Sequence, residues 1–141
     1  MRYVLDTNVV SELRKAGAGQ ANAKVSAWIA NVDTSALFLS AITVMELEIG
    51  IQRAERKDPR QGIVLRAWMN GRVMRTFAAQ VLPTDVKIAR RCAALHVPDR
   101  RSERDALIPA TALVHGMIVV TRNVADFTPL GTPLLNPWSS D

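Results

Sequence analysis

The stretch Tyr3-Val4-Leu5-Asp6-Thr7-Asn8 carries the strongest fold signal in the chain. Three apolar residues stop abruptly at three that favour turns and helix caps, which predicts a buried strand running straight into a helix start. Val9, Val10 and Leu13 continue on one helical face, and Ala16 to Ala21, with Gly17 and Gly19, reads as a loop. Val25, Trp28, Ile29 and Val32 recur at helical spacing and predict a second helix.

The same pattern returns further on. Leu37-Phe38-Leu39-Ser40 predicts a second strand, followed by Thr43 as an N-cap with Glu46 completing a capping box in the first turn. Val44, Leu47, Ile51 and Ala54 mark the buried face of that helix, and Asp58-Pro59 ends it. Ile63 to Phe77 is helical by periodicity, with Val64, Ala67, Trp68 and Met74 inward and Gly71 as a weak point. Val81-Leu82-Pro83 predicts a very short strand, and Thr84 a cap for a helix that buries Ile88, Cys92 and Leu95. After a polar loop from Pro98 to Arg104, an alanine-rich helix ends at His115-Gly116, and Met117 to Val120 is the clearest strand.

Short strands alternating with helices predict an α/β sandwich on a short, mostly parallel central sheet, with helices on both faces. At 141 residues, without a linker-like segment, the chain is expected to form a single domain over 1–141. A composition 48% apolar and 22% charged supports a core without disulfides. The lone Cys92 excludes an intramolecular bridge and a cysteine-based zinc site. Neither a signal-peptide pattern nor a membrane-length apolar run is present, so a cytoplasmic location is expected. The formal charge of +5 favours polyanionic partners.

In a parallel sheet, ligand sites form beyond the carboxyl ends of the strands. Asp6 follows the first strand, Glu46 opens the helix after the second, and Asn123 and Asp126 follow the last. Asp105, near the start of the alanine-rich helix, reaches the same edge if that helix packs antiparallel to the sheet. Acids converging there repel one another and call for a cation. Hard oxygen donors suit Mg²⁺ or Mn²⁺, and such an ion can activate water against a phosphodiester. The plain structural alternative makes each of these residues a cap or turn former. Asp105 would then N-cap its own helix, with Pro109 in a tolerant first turn. What capping leaves unexplained is why all the residues expected at one sheet edge are acidic or amide-bearing.

The ordered set Leu5-Asp6-Thr7-Asn8-Val9-Val10-Ser11-Glu12, Leu39 to Leu47, Asp105 to Ala112, Thr121 to Phe127 and Asn136-Pro137-Trp138 resembles the PIN-domain family. The likeness is to the VapC toxins of bacterial toxin–antitoxin pairs and their FitB-like branch, and it spans essentially the whole chain. It implies a PIN-like α/β/α sandwich and an endoribonuclease using Mg²⁺ or Mn²⁺. It also implies a small cognate antitoxin, a homodimer, and contact with DNA only through the antitoxin. Asp6, Glu46 and Asp105 would be metal-site acids. Many members carry Asp where this chain has Asn123, which divides the fourth place between Asn123 and Asp126. Of two basic groups, Arg53-Arg56-Lys57-Arg60 and Arg90-Arg91-Arg100-Arg101-Arg104, the second leads into Asp105 and offers contacts for RNA phosphates, the plain alternative being a solvated face partly neutralised by Asp99 and Glu103. A phosphatase of the haloacid-dehalogenase kind fits poorly, because it needs Asp where this chain has Asn8. The rival from another class is a catalytically inactive PIN-like module that binds nucleic acid or protein.

Overall fold

The computed structural model describes residues 1–16 and 18–139, so Gly17 of the expected first loop lies outside the described residues. The chain runs β1 (Tyr3–Leu5), α1 (Thr7–Ala16), α2 (Ala23–Ala30), β2 (Leu37–Ser40), α3 (Ala41–Lys57) and α4 (Pro59–Trp68). A π-helical turn (Met69–Val73) leads into α5 (Met74–Thr76) and β3 (Val81–Leu82). Next come α6 (Val86–Leu95), α7 (Glu103–His115), β4 (Ile118–Val120), α8 (Val124–Phe127) and β5 (Leu134–Leu135). The strands form one sheet in the order β3-β2-β1-β4-β5, and every pairing is parallel.

Strand alternation divides the core between the two faces. Leu5 and Val120 pack under α1, α3 and the π turn with Val9, Val10, Leu39, Leu47 and Met69. Val4 and Val119 face the other way, against Ile108 and Ala112 of α7, Met117 and Phe127. A satellite cluster joins Ile88 and Cys92 of α6 to Ala106 and Ala110 of α7. Side chains as completely buried as Leu5 and Leu39 cost about 2–5 kcal/mol when cut to Ala.

The sheet is all parallel, and helices cover both its faces as the alternation predicts. Several local expectations are corrected. Ser40, not Thr43, caps α3, its Oγ accepting the Ile42 N–H at 3.2 Å, so Glu46 lies beyond the first turn. Asp85, not Thr84, caps α6. Ser102 caps α7 by accepting the Asp105 N–H, which puts Asp105 inside the first turn and Pro109 well beyond it. Pro109 has no N–H to give the carbonyl of Asp105. On α4, Ile63, Val64 and Ala67 are exposed and Gly62 turns inward, while in the π-helical turn Met69 and Val73 are buried. The inward stripe is set by Gly62, where an added Cβ would stand 2.6 Å from the Cα of Glu55. Hydrophobic periodicity cannot register a contact made by a residue with no side chain. The two-residue strand β5 was too short to stand out. Among the described residues, no helix is long and apolar enough to cross a membrane.

Candidate active site

The strand order reverses between β1 and β4: the chain builds outward from β1 through β2 to β3, then crosses to β4 on the other side. That switch point is where open parallel sheets leave a crevice beyond their carboxyl ends. Asp6 sits in it, 8% exposed. Its N–H donates to the Val120 carbonyl at 2.9 Å, prolonging the ladder by one step, while its own carbonyl accepts from Val9 at 3.0 Å and starts α1.

The Asp6 carboxylate is held between the start of α1 and the end of β4. Oδ1 accepts the N–H of Thr7 at 2.8 Å, and Oδ2 accepts the hydroxyl of Thr121 at 2.7 Å. A helix cap would spend its oxygens on amides deeper in the first turn, so capping does not account for this orientation. Burial pushes the Asp6 carboxyl above its ordinary range. The bonds from Thr121 and Thr7 oppose that rise, and the nearby charges of Asp105 and Asp126 add to it.

Glu46 reaches the crevice from α3. Its Oε1 accepts the Thr7 hydroxyl at 3.1 Å, and Thr7 Oγ1 also lies 3.3 Å from the hydroxyl of the fully buried Thr43. Burial raises its carboxyl too; Thr7 counteracts this, and Asp6 and Asp105 reinforce it. Arg104 Nη1 stands 3.9 Å from Oε2, beyond hydrogen-bond length, on a side chain half exposed. Asp105 is exposed at the rim in the first turn of α7. Asp126 is also exposed and is close enough for its charge to act on Asp6.

Asn123 occupies the N-cap position of α8 without a side-chain cap bond, and its N–H donates to Thr121 Oγ1 at 2.9 Å. Asn123 thus meets the site through its backbone, whereas Asp126 meets it through charge. Thr7 and Thr121 were not singled out by sequence as individual residues. The available signal was register: Leu5 pairs with Val120, so the polar residues that follow them end neighbouring strands side by side.

Asp6, Glu46, Asp105 and Asp126 make an all-oxygen donor set, the chemistry that suits Mg²⁺ or Mn²⁺. Among the described residues, no three acids stand as a ready-made metal-holding group. An ion that keeps most of its waters needs only one or two carboxylates.

The PIN domain family profile matches residues 3–127. The chain is 38% identical over 140 residues to VapC ribonuclease Y4jK of Sinorhizobium fredii, covering 96% of each. It is 33% identical over 141 residues to Toxin FitB of Neisseria gonorrhoeae, covering 96% of this chain and 97% of the toxin. The crystal structure of FitAcB from Neisseria gonorrhoeae superposes with a TM-score of 0.85 at 31% identity, covering 96% of this chain and 98% of that one.

Proposed function

This chain belongs to the PIN domain family, and from that premise we propose that it is the ribonuclease toxin of a toxin–antitoxin pair, cutting RNA phosphodiester bonds with Mg²⁺ or Mn²⁺. The observation that carries the reading is the buried Asp6 at the β1/β4 switch point, with Glu46, Asp105 and Asp126 around it and, among the described residues, no basic group within hydrogen-bond distance of its carboxylate. The relatives' names, a VapC ribonuclease and a FitB toxin, support the activity and the role.

Asp6 would hold the ion, together with Glu46, Asp105 or Asp126. Bound there, it supplies a Lewis acid for a phosphoryl oxygen and lowers the pKa of a coordinated water. Thr121 fixes one oxygen of Asp6, and the Thr7 hydroxyl fixes one oxygen of Glu46. Arg104, loosely paired with Glu46, can turn to a substrate phosphate. A small antitoxin would restrain the enzyme, a second copy would complete a homodimer, and any contact with DNA would pass through the antitoxin.

The test is partner-free protein incubated with RNA in Mg²⁺ or Mn²⁺, with and without chelator, beside Asp6→Asn and Asp105→Asn. Metal-dependent cleavage that both variants lose supports the reading. Binding of RNA without cleavage favours the inactive module instead.

A further inference from the structure

A recess of about 400 Å³ opens beside Thr7, walled by Asn8, Ser11, Glu12 and Lys15 of α1 together with Arg122 and Trp138. Residues 8, 11, 12 and 15 lie three or four apart and so share one helical face. Glu12 is 8% exposed, and its Oε2 is shut off from water without a hydrogen bond. The Lys15 ammonium stands 3.6 Å from that oxygen, too far to donate well, on a side chain half exposed. A buried carboxylate oxygen without a donor opposes folding, so stability does not explain Glu12.

The other wall is built for stacking. The Arg122 guanidinium lies 5.4 Å from the centroid of the Trp138 ring. The backbone at both partners is tied down: the main-chain N–H of Trp138 donates to Asn136 Oδ1 at 2.9 Å, and the main-chain N–H of Arg122 reaches Asn8 Oδ1 at 3.4 Å. Flat aromatic and guanidinium surfaces are the usual platforms for unstacked RNA bases.

We infer that this recess is a nucleobase subsite that takes guanine from the RNA strand beside the scissile phosphate, an inference that rests on the ribonuclease reading above. An ionised carboxylate only accepts hydrogen bonds. Guanine alone presents two adjacent donors, the ring N1–H and the exocyclic amine, on its Watson–Crick edge. Adenine, cytosine and uracil each set an acceptor next to their donor, and that acceptor would face a Glu12 oxygen. Because Glu12 Oε2 is closed to water in the unbound chain, guanine reaches it by displacing the Lys15 ammonium from its loose contact, which frees that ammonium to meet a backbone phosphate.

Two measurements separate this inference from the activity it rests on. Cleavage of a sequence-randomised RNA pool should show guanine preferred about tenfold or more at one position flanking the cut, relaxing to within about twofold in Glu12→Gln. An unchanged profile in that variant, or a Glu12-dependent preference for another base, overturns the inference while leaving the ribonuclease reading intact. Binding of free nucleotides to the unmodified protein needs no cleavage. GMP should bind about tenfold more tightly than AMP, CMP or UMP, and inosine monophosphate, which lacks the exocyclic amine, should lose most of that advantage. Equal binding of all five overturns the subsite whether or not RNA is cut.

Discussion

On α3, Glu46 and Glu48 stand two residues apart, and the regions they face treat a carboxylate in opposite ways. Glu48 turns toward α4, where Arg66 Nη1 donates to it at 2.6 Å while Arg66 Nη2 donates to Glu55 at 3.0 Å; the hydrogen bond from Arg66 holds the Glu48 carboxyl below its usual range. Glu46 turns toward the sheet edge, where burial and the charges of Asp6 and Asp105 push its carboxyl up. The α3–α4 pair therefore neutralises its own acids, while the crevice gathers acids that the protein leaves largely unneutralised. A region of the first kind is complete by itself. One of the second kind, on the reading proposed above, is completed by a cation from outside.

The largest effect that would sharpen this contrast is at Asp6. Asp6→Asn should lower metal-dependent RNA cleavage by about 10²-fold or more, the scale set by losing one stabiliser of a charged transition state. Activity near that of the unsubstituted chain would remove Asp6 from the site. Thr121→Val, which keeps shape and drops the hydroxyl, should cost about 10–100-fold in activity or metal affinity, because Asp6 Oδ2 loses its donor. Denaturant unfolding of the same variant checks that the fold is intact.

Gly62→Ala probes the other region. Its Cβ would meet Glu55 Cα at 2.6 Å and Cγ at 2.7 Å, so α3 and α4 must part. A loss of about 1–3 kcal/mol in urea unfolding is expected, with activity per folded molecule unchanged. A fall in that specific activity would show that the two regions are coupled.

A pH test has a definite sign. Asp6 and Glu46 have raised values in the folded chain, so the stability they allow is full below the ordinary carboxylate range, given by 3.8 and 4.5, and declines as pH rises through the raised values. Added Mg²⁺ or Mn²⁺ should therefore raise the melting temperature more at about pH 7 than at about pH 4.5, where protons compete for the same oxygens. Equal increments at both pH values would break the argument. Smallest of all, Arg66→Gln should shift melting by only about 1–3 °C and leave cleavage untouched, since its ion pairs lie at the surface.

Much of this was legible in sequence because strand ends are marked by changes of residue class. Leu5 to Asp6 and Leu39-Ser40 announce where strands stop, and a parallel sheet turns those stops into a common edge. Helix starts were less readable. Ser40 and Thr43, Thr84 and Asp85, or Ser102 and Asp105 are equally good cap chemistries a residue or a few apart, and backbone context chooses among them. The threonines of the site were harder still. A Thr hydroxyl acquires meaning from what lies opposite, and Thr121 finds Asp6 only through the pairing of β1 with β4. Between the two candidates for the fourth place, Asn123 and Asp126, the sequence offered no ranking. The structure distinguishes them by the means each uses, a backbone N–H against a charge.

The bond from Thr121 to Asp6 joins residues 115 positions apart. On the ribosome, β1 with Asp6 just after it and α3 with Glu46 are made early, but the strand that seats Asp6 and the helix that carries Asp105 are made much later. Domains fold as units while the chain is synthesised, and this one lacks half its crevice until β4 has appeared. On the ribonuclease reading, the crevice can act only after α7, β4 and Thr121 have been made and docked, the last of them 115 residues after Asp6.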